Sequence, residues 1–582
     1  MEFDEAVRLA GYPNLDEYMR RFILPVVGVA TLLFVLSLLG VSVYGSMYDL
    51  GSAKMLAIFA PLGILMFAVI AVAAYPYYMI ERVKVNIHEN IQYFITYAGA
   101  LSTIHIQRRK LFRLASQRVE YGEIAKVMEK VAYLSDYWNL GVVKTCRKLA
   151  GIVPSKILGN FLDRMSAAFD FGENLDVFLF AEQSAVMEDY ASEYKQSLQT
   201  MSLVQDALVS LTIAVSFMMT VAFMLPLIMG YDIYTLVSLS GLMLLFIDVM
   251  SLVFIDSFIT HDQVMHDLPV KSPEYKRLKS LVAPVVALCA VLMAFLLILQ
   301  PLPWVPVLVA IALTPLALIG WYASEMEAAT SKRDQAFPAF IRSLGGSMAA
   351  KGGSLVGTIG PLRIHEFGVL NDPVNSLYAR LRIRCDKFQS WVYFAGETGS
   401  NLIEKFGNIF IQVVTLGGDP EKAAKMISDN FIKLLSLREL RNQLAQSVRG
   451  VYYGTLLGIA GATYSTLRMV GILDSTFKKS FSSIAATPSV ASMTAGIFPT
   501  IGDINMPMVE NLLFVILVLH VAFSAYSVKM VDGGSKYTAF LDFVLMVWGV
   551  AITAVLVPSM FNLMFSQGSA ASGVVQGVAP LP

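Results

Sequence analysis

The stretch FDFGENLDVFL (169–179) ends one helical pattern and begins another, and 245 positions later VTLGGDPEKAA (414–424) makes the same break. In the second stretch Gly417 suits a helix C-terminus, because glycine accepts the left-handed conformation that stops a helix. Asp419 suits the N-cap, where a side-chain oxygen accepts from amides that have no partner within the helix. Pro420 suits the first helical position, since it has no N–H to leave unpaired there. In the first stretch the same roles fall to Gly172, Asn174, Leu175 and, in the first turn, Asp176. These corners read either as tight turns between packed helices or as hinges and docking points.

Outward from the corners the correspondence continues. Phe161 falls on Phe406, Met165 on Phe410, Phe169 on Val414 and Phe171 on Leu416, with helical apolar spacing in both copies. Further upstream FITYAG (94–99) meets FIRSLG (340–345) at an offset of 246. Similarity at a fixed offset is the sign of a repeated unit. Two modules, 79–206 and 323–450, are therefore expected, each entering an apolar segment at its C-terminal end. Amphipathic runs such as SAVMEDYASEYKQSLQTMSLVQDAL and AAKMISDNFIKLLSLRELRNQLAQSV predict helical bundles in both, with no strand pattern.

The rest of the chain is written for a membrane. With 56% apolar and 15% charged residues and a mean hydropathy of +0.61, the composition excludes an ordinary soluble enzyme. A spanning helix needs about 20 mainly apolar residues, because hydrocarbon cannot satisfy an open backbone. Nine stretches meet that length: 22–44, 55–78, 207–229, 234–255, 281–299, 302–322, 451–471, 509–531 and 539–565. With the N-terminal segment 1–21 inside, the alternation leaves 40 of the 44 Lys and Arg on the cytoplasmic side. That excess of positive charge inside predicts an N-in, C-out topology with the tail 566–582 outside. The fold class expected is an all-α polytopic membrane protein: spans 22–78, 207–322 and 451–565 alternate with two duplicated cytoplasmic modules. Residues 1–21 do not read as a cleaved signal, because the apolar run after them is too long.

Chemistry-bearing motifs are sparse. The sequence holds no GxxxxGK[ST] cradle for nucleotide phosphates, and no HExxH, GxSxG or GxGxxG. Cys146, Cys289 and Cys385 form no CxxC, and none lies in an outside segment. No cofactor or metal is implied, and a net charge of zero argues against nucleic acid as a partner. His261 and His266, in THDQVMHD, read as a solvated loop. Ionisable groups inside a bilayer are functional candidates by default. Asp248 and His520 qualify, read as two isolated groups each suited to a helix–helix hydrogen bond, whereas Lys529 and Asp542 lie at inner ends where they can snorkel. A transporter or channel using Asp248 and His520 is the alternative reading, and a membrane scaffold without a motor is a third. Two basic clusters remain, Arg108, Arg109, Lys110 and Arg113 in the first module and Arg380, Arg382 and Arg384 in the second. Their partner is either anionic lipid or an acidic protein.

Two helical modules, each with a glycine corner and a long charged helix running into the membrane, resemble the type II secretion F-domain family. The size and nine spans are most similar to its archaeal branch, the assembly platform of an archaellum or type IV pilus. The resemblance implies a non-enzymatic platform in the cytoplasmic membrane, used in motility or protein secretion. It implies a separate hexameric secretion ATPase and pilin-like or archaellin subunits as partners, and a platform at a filament base suits a homodimer. One departure stands out: after its first helix the second module reads AKGGSL (350–355), where the first has HIQRRKL (105–111).

Overall fold

The computed structural model describes residues 7, 15–28, 31, 53–104, 106–226, 233–259, 262–298, 305–352, 355–484 and 506–575. Among them the chain is helical, with one isolated bridge, Met265 to Ser400, in place of a sheet. It divides into two compact units, Met1–Tyr190 with Leu416–Gly418, and Ala191–Thr415 with Asp419–Pro582.

In the first unit, helix α1 (Ala53–Leu101) is the spine, and four shorter helices fold beside it: α2 (Arg108–Ser116), α3 (Glu123–Asp136), α4 (Val142–Ala150) and α5 (Lys156–Asp170). Helix α6 (Leu175–Ala222) then starts at the corner that opened the sequence. Phe94 is the centre of the core, edge-on to Phe161 at 5.8 Å and to Tyr121 at 6.1 Å. The sequence places these rings on one face of each helix, so packing them removes a continuous apolar stripe from water. Asn86 fixes the register of α3 on α1, its side-chain oxygen accepting from the Glu123 amide at 2.8 Å.

The second unit runs on through α7 (Ile233–Phe258), α8 (Pro273–Ile298), α9 (Val305–Leu313) and α10 (Leu316–Ala350). Then come α11 (Leu355–Leu362), α12 (Asn371–Arg382), α13 (Lys387–Thr398), α14 (Asn401–Thr415), α15 (Pro420–Ile484), α16 (Met506–Asp532) and α17 (Ala539–Val575). Two of its cores differ in kind. One is aromatic, with Phe431 5.0 Å from Phe337 and 5.3 Å from Phe406, and Phe340 5.8 Å from Phe394. The other is aliphatic and joins the apolar parts of α6, α7, α15, α16 and α17 through residues such as Leu244, Leu456, Leu513 and Val547.

Among the described residues six helices are long and apolar enough to cross a membrane, and a seventh candidate is the pair α9 and α10, bent by 41° at its break. Proline explains the break: Pro315 offers no N–H to continue the ladder. The expected sixth span is thus divided, and α10 continues far beyond it. The expected first span, 22–44, lies mostly outside the described residues, and the second, 55–78, falls within α1.

The two helical series follow the same order. Helix α5 and helix α14 have 15 residues each and are offset by 245 at both ends. The left-handed residues keep the same spacing: Gly172 and Gly417 are 245 apart, as are Asn139 and Arg384, and Gly122 and Gly368 are 246 apart. Close approach of α10 and α17 depends on Gly320, where an added Cβ would overlap the backbone of Leu541. Gly320→Ala is expected to push these helices apart and to cost about 1–3 kcal/mol, read as a lower Tm in detergent.

Candidate functional site

The first corner is a six-to-one helix stop. Gly172, at φ +78°, donates its N–H to the Phe169 carbonyl at 3.2 Å, and Glu173 donates to that of Ala168 at 2.9 Å. Asn174 gives only its carbonyl to the new helix, accepting from Phe178 at 3.1 Å. The basic cluster of α2 meets this corner, which the sequence did not suggest. Arg108 donates to the Glu173 carbonyl at 3.0 Å, with its guanidinium 4.4 Å from the Phe169 ring centre. Arg109 and Arg113 reach Asp136 at the end of α3, at 3.7 and 3.0 Å. Lys110 is exposed.

At the second corner Gly417 has φ +88°, Asp419 accepts from the amides of Glu421 and Lys422 at 3.0 and 3.3 Å, and Pro420 opens α15. Arg380 pairs with Glu397 and lies 5.3 Å from the Tyr393 ring centre, so it braces α12 against α13. Arg382 and Arg384 are exposed. Arg384 has φ +60° and ends α12 with the same pair of bonds seen at Gly172, to Leu381 and, through Cys385, to Arg380, both 3.1 Å.

Asp248 and His520 are not isolated. His520 Nδ1 lies 2.9 Å from both carboxylate oxygens of Asp248, and both side chains are buried between α7 and α16. Two turns before Asp248, Gly241 takes the helices close: an added Cβ would come 2.5 Å from Ile516. Small residues at such crossings let polar side chains meet inside an apolar bundle. His266 also departs from its expected place in a solvated loop. It is buried, accepting at Nδ1 from the Leu268 amide at 3.2 Å, which leaves Nε2 to donate to the Gly396 carbonyl at 3.1 Å. Burial holds its pKa below the usual imidazole value.

A further polar cluster, centred on Arg438, has no signature in the sequence. Arg438 on α15 grips Asp262 with two bonds, 2.6 and 2.7 Å, and turns its third nitrogen to Asp334 on α10 at 3.1 Å. Asp334 also accepts from Ser400, whose oxygen caps α14 by accepting from Ile403 at 3.1 Å. One turn along α15, Arg441 donates to the carbonyls of Val531 and Met530 at 2.8 and 3.0 Å, closing the open end of α16. Lys529, far from snorkelling, is buried and lies 3.2 Å from Glu327 and 3.3 Å from Asp532. Asp542 likewise is held by Arg449 at 3.2 Å and Tyr453 at 3.1 Å.

Asp262 and Asp334 line a cavity of about 440 Å³ together with Glu327, Arg438, Arg441, Arg449 and Asp532. Burial raises the Asp334 carboxyl to about 6, against the pull of Arg438. Burial works on Asp262 too, yet the doubly bonded Arg438, with Arg441 nearby, holds it below the usual carboxylate value. Among the described residues no group of three His, Cys, Asp or Glu could hold a metal ion. The arrangement is suited to clamping: it joins α10, α15, the residues before α8 and the turn between α16 and α17 through charge-assisted bonds.

Comparison with known proteins gives two matches over almost the whole chain. "Flagella accessory protein J" of Methanocaldococcus jannaschii is 32% identical over 563 residues, 95% of this chain and 96% of that protein. The protein of the same name from Methanococcus voltae is 30% identical over 560 residues, 94% of this chain and 96% of its own. An uncharacterized protein of M. jannaschii is 24% identical over 132 residues, 23% of this chain. No family model and no solved structure matches.

Two measurements probe the clamp. Arg438→Met leaves the buried Asp334 and its neighbour Asp262 without their cation and should cost about 3–5 kcal/mol, seen as an early unfolding step in detergent. Asp334 is raised from 3.8 to about 6, so folding favours its protonated form. Stability from this group is complete below its unfolded value and is lost as pH rises through about 6. The Tm of Asp334→Asn relative to wild type is therefore expected to climb between about pH 4 and pH 7.

Proposed function

Because the chain belongs to the family of Flagella accessory protein J, we propose that it is the membrane platform on which an archaellum or type IV pilus-like filament is assembled. In this reading it supplies no catalysis. It couples a separate hexameric secretion ATPase to the insertion of pilin-like or archaellin subunits from the bilayer. Nine spans place residues 1–21, 79–206 and 323–450 in the cytoplasm and the tail 566–582 outside. The modules are two copies of one helical unit, and the basic clusters at Arg108–Arg113 and Arg380–Arg384 are contacts for the ATPase or for anionic lipid.

The observation that carries this reading is the recurrence of one helical series at an offset of 245, each copy ending in a helix that runs on into an apolar span. Two equivalent rods entering a bilayer suit the transfer of motion from a motor outside the membrane to helices within it. The six or seven apolar candidates support the multi-pass placement. The transporter alternative is not favoured, since the relatives that match almost the whole chain are named as flagella accessory proteins.

The test is genetic and biochemical together. Deleting the gene should abolish filaments, and the full-length protein should bind its cognate ATPase while hydrolysing no ATP alone. Arg382→Glu with Arg384→Glu should reduce filament number without lowering the protein's Tm, since both side chains are exposed. Normal filaments in the deletion strain would sink the proposal.

A further inference from the structure

At one end of the first unit, charge and exposed aromatic surface coincide. The start of α2, the end of α3, the loop 137–141 and the end of α5 meet there, tied by Arg108 to Phe169 and Glu173 and by Arg109 and Arg113 to Asp136. Ser166 fixes the start of α4 to the same end, donating to the Val143 carbonyl at 3.0 Å. At this end Phe171 is 91% exposed, Tyr137 79% and Trp138 67%. Leaving three large rings in water forgoes roughly 1.5–3 kcal/mol of burial each, so their clustering marks a surface built to be covered. The cause is local backbone. Trp138 precedes left-handed Asn139 and Phe171 precedes left-handed Gly172, and the reversal turns each ring outward from its helix end.

The charges around these rings are positive in excess: Arg109, Lys110 and Arg113 on α2 and Lys144, Arg147 and Lys148 on the exposed side of α4 outnumber Asp136, Asp170 and Glu173, with Asp136 paired to Arg109 and Arg113 and Asp170 to Arg147. An anionic bilayer and an acidic protein both fit such a surface chemically, and the length of α1 separates them. The helix is unbroken from Ala53 to Leu101, with its apolar stretch ending at 78. The remaining 23 residues rise roughly 35 Å, at about 1.5 Å each. A tilt of about 40° would still leave on the order of 27 Å. The field of a charged leaflet fades within about 8–10 Å in physiological salt, so lipid headgroups are out of reach.

We propose that this end of the first unit is the docking face for an acidic surface of a soluble protein, with Trp138 and Phe171 as apolar anchors and Arg109, Lys110 and Arg113 steering the approach. Aromatic anchors beside arginine, ringed by charge, have the make-up of an interface hot spot. At the positions 245 further along, the chain exposes aliphatic Ile383 and Leu416, a weaker pair of anchors. The inference rests on the platform reading above, in which the secretion ATPase is that partner.

The experiment uses the full-length protein in nanodiscs of stated anionic-lipid content, titrated with the purified cognate ATPase hexamer. Trp138→Ala and Phe171→Ala are each expected to weaken binding at least about tenfold without lowering the platform's Tm, as both rings are exposed. Arg109→Glu with Lys110→Glu and Arg113→Glu is expected to slow association and flatten its salt dependence. If wild type binds and both alanine variants bind equally well, this face is not the site, while the platform reading stands. If wild type fails to bind in any lipid, both fall. An effect of the alanine variants only on the response to anionic lipid, or on the oligomeric state measured without the ATPase, would assign the face to lipid or to a second copy and overturn the proposal.

Discussion

The guanidinium of Arg438 lies between two carboxylates that the chain brings from far apart, Asp262 before α8 and Asp334 on α10. Taking such charges out of water costs several kcal/mol per ion, and only good geometry with further hydrogen bonds offsets that. Both conditions are met: Asp262 receives two bonds from Arg438, and Asp334 receives a second donor from Ser400. The clamp fixes the angle at which α15 leaves the aromatic core and enters its apolar stretch. Arg441 and Arg449, further along the same face, then hold the turn between the last two helices.

A helix fixed in this way is a rigid rod with its two ends in different solvents. In the proposed platform, a force applied to the N-terminal end of α15 would reach α16 and α17 through bonds that are short and largely withdrawn from water, where ionic contacts are screened least. The pair of Asp248 and His520 extends the polar contacts between α7 and α16, and Ser251 lies 3.4 Å from Tyr452 of α15. Within the second unit, polar contacts therefore run from the aromatic core into the apolar bundle. That continuity is what the proposed platform would need to transmit motion, and it gives each of these costly ionisable groups a partner at depth.

Much of the corner chemistry was legible. Gly172 and Gly417 have the left-handed φ that their positions imply, and Asp419 and Pro420 open α15 as their chemistry requires. Asn174 contributes only its carbonyl. Asn139 and Arg384 also have positive φ but carry no sign of it in the sequence, because neither is glycine; arginine there accepts a strain of about 1–2 kcal/mol. THDQVMHD is polar in composition and so reads as solvated, while the burial of His266 comes from the distant turn around Gly396.

The sequence by itself determined the membrane character, the all-helical class, the helix stops and the offset between the two series. Hydropathy and backbone preference are properties of consecutive residues, and so they can be read along the chain. Only the tertiary structure decided that Asp248 meets His520, that Arg438 joins Asp262 to Asp334, that Arg108 rests on Phe169, and that Trp138 and Phe171 stay in water. Each of these depends on residues tens to hundreds of positions apart, or on which side of a helix end remains uncovered. A polar side chain on an amphipathic helix looks the same in sequence whether it faces solvent or a partner charge, and packing alone tells the two apart.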